Sequence, residues 1–226
     1  MGRPVVSWLE HHAARTPDAV ALIDLHRGRE TGYRQLAARV RAVAWSLRDR
    51  YGVGEGDRVA VLSRNDPRVF EVVYACALLG AIAVPLNWRL TAAELTAVSA
   101  DAEPAVLVHE SWAAPAAAEV ATGAGIPALV GWASEDGDED RYEQLATAAV
   151  PAGWVPDDVD EDAVWTIIYT SGTTGLPKGV QATHRGVLAS MLGILVAHRV
   201  GAGSRCLTVL PTFHVAGLNL FANPVL

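Results

Sequence analysis

The sequence predicts an α/β fold in which helices flank a largely parallel sheet. Short apolar segments typical of strands alternate along the chain with longer segments of helical periodicity, and this alternation is the pattern of βαβ units. Hydrophobic residues make up 51% of the 226 residues and charged residues 19%. This balance favours a folded chain with a sizeable core over a disordered one.

The first clear helical pattern covers residues 33–48. Apolar side chains recur there at helical spacing, so that Leu36 and Val40 lie on one face. A glycine-containing segment at residues 52–56 ends the pattern, and residues 58–63 then predict a buried strand.

A second helix is predicted to start at residues 65–67, which combine a polar cap with a proline in the first turn. The apolar pattern continues to Leu79. Gly80 follows it and can adopt the left-handed conformation that ends a helix. Residues 81–85 predict a second short strand.

Thr91 and Glu94 have the spacing of a capping box and predict the start of a third helix. Residues 105–109 predict a third strand. The alanine-rich residues 111–125 predict a further helix, and residues 126–130 a further strand.

Two segments, residues 134–140 and 157–162, are rich in Asp and Glu. They predict a solvated loop and an acidic linker rather than a metal site, because a calcium loop requires an order of ligands that is missing here. The linker divides the chain. We expect residues 1–160 to form a βα-rich subdomain, and residues 161–226 to form a hairpin, a following helix and the start of another subdomain.

The chain carries 18 Lys and Arg against 25 Asp and Glu, a net charge of −7, which argues against nucleic acid and anionic lipid as partners. Three uncharged segments, residues 72–86, 186–198 and 206–226, are too short or too interrupted to span a membrane. Cys76 and Cys206 lack metal-ligand spacing, and we expect two reduced, buried thiols in a cytoplasmic protein. The first residues contain no apolar signal segment.

The most informative segment is residues 165–181. It begins as a strand and becomes a loop made of Thr170, Ser171, Gly172, Thr173, Thr174 and Gly175. Pro177 prevents the loop from continuing as a helix, and residues 179–183 predict a second strand. An apolar helix over residues 184–198 should follow, with His184 and Arg185 capping it.

This loop is chemically suited to a polyphosphate. Its glycines allow close approach of the backbone, its amide groups can form an anion-binding nest, its hydroxyl groups add donors, and Lys178 adds a compact positive charge. It is not a Walker A loop, because Pro177 precedes the lysine and Gly179 follows it. A hydroxyl-rich surface hairpin is the alternative interpretation.

Residues 169–180, YTSGTTGLPKGV, closely resemble the signature loop of the adenylate-forming (AMP-binding) enzymes. That superfamily contains acyl-CoA synthetases such as fatty-acid–CoA ligases, peptide-synthetase adenylation domains and beetle luciferases. The resemblance extends upstream to residues 59–63, 83–87 and 89–95. It implies that residues 1–226 are a partial AMP-binding domain, equivalent to its N-terminal portion.

A downstream segment, residues 210–218, resembles the next motif of the superfamily. Its histidine, His214, is typical of acyl-CoA synthetases, whereas peptide-synthetase domains usually carry a Phe-Asp pair there. The resemblance therefore favours a CoA ligase over a peptide-synthetase adenylation domain, which stays the alternative within the superfamily.

The resemblance implies a reaction in two steps. A small-molecule carboxylate attacks the α-phosphate of ATP to give an acyl-adenylate, and the thiol of coenzyme A then displaces AMP. The residues implied to hold the β- and γ-phosphates are Thr170, Ser171, Gly172, Thr173, Thr174, Gly175 and Lys178. Mg²⁺ is expected to share the phosphate charge, with its ligands outside these 226 residues.

In related CoA ligases the histidine that matches His214 lies near the acyl or adenylate site. A histidine with only a structural role in the core is the alternative. Val215, Ala216 and Gly217 are expected to line the acyl pocket, because small residues leave room for a bulky acid. Simple packing between a strand and a helix is the alternative for these three residues.

Several motifs of the superfamily have no match in the sequence. They include the adenine-binding motif, the magnesium-binding glutamate, the ribose-binding aspartate and the C-terminal domain with its catalytic lysine. We therefore expect the 226 residues alone not to form acyl-adenylate. Three hypotheses follow: a truncated ligase, one half of a split enzyme completed by another chain, or a non-catalytic ATP-binding remnant.

Overall fold

Six strands form one sheet in the computed structural model, which describes residues 6–133, 140–170, 177–201, 203–220 and 222–226. The helices are α1 (Val6–Arg15), α2 (Tyr33–Tyr51), α3 (Pro67–Leu79), α4 (Ala92–Ala102), α5 (Ala114–Ala124), α6 (Arg141–Ala146), α7 (His184–Ala197) and α8 (Ala222–Val225). The strands are β1 (Val20–Asp24), β2 (Arg29–Gly32), β3 (Arg58–Leu62), β4 (Ile82–Pro85), β5 (Val106–Glu110), β6 (Leu129–Trp132), β7 (Val164–Thr170) and β8 (Lys178–Thr183).

The strands of the main sheet lie in the order β6-β5-β3-β4-β7-β8. Neighbouring strands are parallel from β6 to β7, and β8 returns antiparallel to β7 as the second strand of a hairpin. The first two strands, β1 and β2, form a separate antiparallel hairpin. The prediction of a largely parallel sheet is confirmed.

Helices cover both faces of the sheet. Val59 and Val61 of β3 belong to a core cluster with α2 and α3, whereas Ala60 and Leu62 face a second cluster with α4 and α5. Successive residues of the strand therefore enter different cores, which explains why residues 59–62 are all apolar.

The predicted start and end of α3 and the predicted start of α4 are confirmed. The Asp66 carboxylate accepts the amide of Arg68 at 2.9 Å, and Gly80 ends α3 with a φ of 65°. Thr91 Oγ1 accepts the amide of Glu94 at 3.3 Å, and the Glu94 carboxylate accepts the amide of Thr91 at 2.8 Å. This reciprocal pair is a capping box.

The hairpin of β1 and β2 was not predicted, because its turn lacks a strong turn dipeptide. The Asp24 carboxylate organises the turn by accepting the amides of His26 at 3.0 Å and Arg27 at 3.1 Å. Arg27 also reaches the distant carboxylate of Asp66 at 3.1 Å. The turn therefore depends on a tertiary contact that local sequence does not reveal. The helices α1 and α6 were not predicted either.

The predicted cap of α7 is wrong. Thr183 caps this helix, because its Oγ1 accepts a first-turn amide at 3.1 Å. His184 instead lies buried against Trp165, and Arg185 pairs with Asp162 at 2.6 Å.

Two described residues of the acidic segments, Asp140 and Asp157, make defined contacts. Asp140 caps α6 by accepting the amide of Glu143 at 2.8 Å, so its prediction as part of a solvated loop is wrong. Residues 134–139 lie outside the described residues. In the linker, Asp157 accepts a hydrogen bond from Arg48 Nη1 at 3.0 Å.

The two thiols differ in exposure. Cys76 is free and buried, as predicted, but Cys206 is free and exposed, so the prediction of a buried thiol is wrong there. Among the helices in the described ranges, none combines the length and the apolar character that crossing a bilayer requires.

Candidate phosphate-binding site

The predicted loop begins where β7 reaches the carboxyl edge of the parallel sheet. Open α/β sheets bind their ligands at this edge. Thr170 is the last residue of β7, and β8 begins at Lys178. Five predicted site residues lie outside the described residues: Ser171, Gly172, Thr173, Thr174 and Gly175.

The two described site residues, Thr170 and Lys178, face each other across the base of the loop. Thr170 Oγ1 lies 3.5 Å from the carbonyl oxygen of Lys178, at the limit of a weak hydrogen bond. Lys178 is exposed, and it forms no ion pair with an acidic side chain of the described residues. Its ammonium group is therefore available to an anionic ligand.

One residue pair below the loop, Tyr169 faces Gly179. A Cβ atom at Gly179 would lie 2.8 Å from Cγ2 of Ile167 and 3.2 Å from Cζ of Tyr169. Only glycine fits this position without displacing its neighbours. The hydroxyl of Tyr169 donates to the Asp101 carboxylate at 2.5 Å, a contact that the sequence does not predict.

The segment that leads to His214 is fixed to the same edge of the sheet by Asn65. This side chain follows β3 and donates to the carbonyl groups of Thr208 at 3.1 Å and Leu210 at 2.9 Å. Its oxygen accepts the amide of Thr212 at 3.0 Å. One amide side chain therefore satisfies three backbone groups of an irregular segment.

Aromatic rings add a second attachment. Phe213 lies edge-to-face with Trp88, with ring centres 6.3 Å apart, and Trp88 lies 6.4 Å from Trp112. The guanidinium of Arg89 lies 5.0 Å from the ring centre of Trp88, and that of Arg64 lies 4.8 Å from the ring centre of Trp112. This cluster joins loops that are distant in sequence, so no local signal indicates it.

His214 is exposed beside this cluster. Its Nδ1 accepts the amide of Ala216 at 3.1 Å, which leaves Nε2 as the ring nitrogen that can bond a ligand. A Cβ atom at Gly217 would lie 2.1 Å from the Pro211 carbonyl oxygen, so the backbone itself requires glycine there. The lining of an acyl pocket by Val215, Ala216 and Gly217 stays a prediction.

Within the described ranges, the structure contains no group of three or more His, Cys, Asp or Glu side chains arranged to hold a metal ion.

Comparisons with known proteins agree on one family. The family model described as "AMP-binding enzyme" matches residues 9–226. A feruloyl-CoA synthase from Amycolatopsis sp. is 35% identical over 220 residues, which cover 97% of this chain and 41% of the relative. An indoleacetate–CoA ligase from Aromatoleum aromaticum is 36% identical over 228 residues, covering 97% of this chain and 42% of the relative.

Solved structures give the same result. ATP-bound MatB from Rhodopseudomonas palustris superposes with a TM-score of 0.85 at 27% identity, over 99% of this chain and 43% of MatB. The N-terminal domain of FACL13 from Mycobacterium tuberculosis gives a TM-score of 0.81 at 28% identity, over 99% of this chain and 56% of that domain. The chain spans about two fifths of the length of the curated relatives named above.

Proposed function

The chain belongs to the AMP-binding enzyme family, and on that premise we propose that it is part of an ATP-dependent carboxylate–CoA ligase. The observation that carries the proposal is Lys178, an exposed cation without an acidic partner among the described residues, at the base of a loop on the ligand-binding edge of the sheet. The similar proteins named as CoA ligases and synthases support the class of reaction.

In the proposed first step, the oxygen of a carboxylate forms a bond to the α-phosphorus of ATP, and pyrophosphate leaves with the electrons of the broken bond. The protein contributes mainly position and charge to such a step. Thr170 and Lys178 would hold the β- and γ-phosphates, together with Ser171, Gly172, Thr173, Thr174 and Gly175. Mg²⁺ would neutralise part of the phosphate charge.

In the proposed second step, the thiol of coenzyme A attacks the acyl carbon and AMP leaves. His214 is proposed to lie beside the acyl-adenylate. The hydrogen bond from Ala216 to Nδ1 fixes the ring, so that Nε2 would face the reacting groups. Val215, Ala216 and Gly217 would line the adjoining acyl pocket.

Lys178 offers an unusually selective test, because it is the only lysine in the sequence. An acyl-phosphate derivative of ATP delivers an acyl group to an amine near its phosphates. The lysine amine forms an amide bond to the acyl carbon, and ATP leaves. Peptide mass spectrometry then separates acylation of Lys178 from acylation of the chain's α-amino group.

We expect rapid acylation of Lys178 by this probe and protection of the residue by added ATP with Mg²⁺. The control variant Lys178→Arg keeps the charge and should fold normally but acquire no label at this position. If Lys178 reacts no faster than a free lysine, or if ATP gives no protection, the proposed ATP site is wrong.

Exchange of pyrophosphate into ATP tests the whole reaction. We expect none from the 226-residue chain alone, because it spans about two fifths of its relatives, and restored exchange when the remaining portion of a relative is supplied separately. Exchange by the chain alone that disappears in Lys178→Ala would contradict this expectation. ATP protection without exchange, even with the added portion, would favour a non-catalytic ATP-binding module.

A further inference from the structure

The hairpin that carries the loop joins the sheet through β7, and beside the loop the side chain of Tyr169 connects it to helix α4. Its ring lies across Gly179 on the opposite strand, and any larger residue there would meet the ring within 3.2 Å. The next pair toward the loop is Thr170 and Lys178. The ring therefore packs between the strands directly below both described phosphate-site residues.

The hydroxyl of Tyr169 extends the attachment to a helix. It donates to Oδ2 of Asp101 at 2.5 Å, in the last turn of α4. Burial, and then the hydrogen bond and charge of Asp101, raise the pKa of Tyr169, so the phenol remains a protonated donor at neutral pH. The side chain of Tyr169 also packs against the core cluster that contains α4.

We propose that Tyr169 and Asp101 are positioning residues for Thr170 and Lys178, and that their hydrogen bond holds this strand pair in the position that ATP requires. The inference rests on the proposed function, because it assigns the pair a role in binding ATP at that site. Neither residue is proposed to touch the phosphates: the hydroxyl of Tyr169 is occupied by Asp101 and acts on the ligand only through Thr170 and Lys178.

The pair can be broken without removing the ring. Tyr169→Phe keeps the ring over Gly179 and removes the donor, whereas Asp101→Ala removes the acceptor. We expect each variant to raise the ATP concentration that half-protects Lys178 about tenfold, equivalent to about 1.4 kcal/mol. Asp101→Asn retains an acceptor oxygen and should recover most of the affinity. Combining Tyr169→Phe with Asp101→Ala should add little to either change, as expected for two partners of one bond.

A matched control separates positioning from general weakening of α4. Thr91→Ala removes the N-terminal cap of the same helix but leaves the contact between Tyr169 and Asp101 intact. This variant should lower the melting temperature and leave the ATP midpoint unchanged. A midpoint shift in Thr91→Ala as large as that in Tyr169→Phe would overturn the proposal, and so would an unchanged midpoint in both Tyr169→Phe and Asp101→Ala.

A second measurement needs no ATP, so it remains informative if the proposed function fails. A lysine-specific protease can cut this chain only after Lys178, because the sequence contains no other lysine. We expect Tyr169→Phe and Asp101→Ala to be cut several-fold faster than the unmodified chain, and Thr91→Ala to be cut at its rate. Equal cleavage rates in all four proteins would show that the hydrogen bond between Tyr169 and Asp101 does not order the base of the loop, independently of any result with ATP.

Discussion

His184 is the first residue of α7, yet its side chain points into the core. The residue is 1% exposed, and its ring stacks on Trp165 with centres 5.5 Å apart and planes at 14°. Neither ring nitrogen has a hydrogen-bond partner among the described residues. Burial lowers the pKa of His184 to about 4, because a charged imidazolium would lose its hydration there.

We expect protonation of His184 to destabilise the fold between about pH 6.5 and pH 4. The pKa is 6.5 for an ordinary histidine and about 4 in the folded chain, so the unfolded state binds the additional proton in this window. Stability is therefore full above about pH 6.5 and falls by up to about 3 kcal/mol as the pH approaches 4. Urea unfolding followed by tryptophan fluorescence at several pH values measures this change.

The matched variants for that prediction are His184→Phe and His26→Gln. Phenylalanine preserves the stack on Trp165 but cannot be protonated, so the loss of stability in this pH window should shrink. His26 is exposed, and its variant should follow the pH curve of the unmodified chain. An identical pH dependence in His184→Phe would assign the effect to another group.

At single residues, the sequence predicts sites formed by neighbours in the chain but not contacts between distant residues. The glycine-rich loop between Thr170 and Lys178 predicts a shared phosphate site for these two residues, because the loop is contiguous in sequence, and that site stays a prediction. The bond between Tyr169 and Asp101 joins residues 68 positions apart. No spacing rule predicts it, since it depends on how α4 crosses the sheet.

At the scale of elements, the parts of the fold that follow from local chemistry are predictable. The polar cap and the terminal glycine of α3 and the capping box of α4 use contacts within a few residues, and all were found where expected. The hairpin of β1 and β2 and the cap of α7 were not predicted correctly. In the hairpin a tertiary ion pair supports the turn, and in α7 two polar residues follow the true cap and obscure it.

Thr91→Ala should destabilise the fold by about 1 kcal/mol, because it removes one half of the capping box and leaves an amide of the first turn without its acceptor. In chemical denaturation, the midpoint of unfolding should occur at a lower denaturant concentration, and the slope of the unfolding free energy against denaturant concentration should be unchanged. Thr122 is the control. It lies exposed in α5, and within the described part of the chain its hydroxyl bonds the carbonyl of Ala118 in its own helix, so Thr122→Ala should have little effect. Equal losses in both variants would contradict a specific role for the cap.

At the scale of the whole molecule, the class of the fold follows from the alternation of strands and helices, but the order of the strands does not. β3 lies between β4 and β5, although β4 follows it directly in sequence and β5 comes later. The helices after β3 and β4 must cover opposite faces for this order to form. Which strand lies at the centre depends on how the helices pack in the two core clusters on opposite faces of the sheet. Those clusters contain residues from most of the elements, so no short segment determines the order.

A partly buried ionic network joins three helices on one face of the sheet. Arg39 of α2 donates to Glu71 of α3 at 2.7 Å and to Glu143 of α6 at 2.7 Å. The hydroxyl of Tyr142 also donates to Glu71 at 2.9 Å. The side chain of Glu71 is only 5% exposed, so its charge depends on these partners for stabilisation.

Arg39→Ala should therefore destabilise the whole fold by about 3 kcal/mol or more, because Glu71 would keep a buried charge without its cation. The comparison is Arg34→Ala, since Arg34 pairs with Asp18 at 3.3 Å where both side chains are largely exposed, and it should match the unmodified chain in stability. Adding Glu71→Gln to Arg39→Ala should recover part of the loss by removing the stranded charge. Urea denaturation measures the stability of the unmodified chain, the two single arginine variants and the double variant. If the double variant is less stable than Arg39→Ala, the loss of stability arises from lost packing around Arg39 rather than from an unpaired carboxylate.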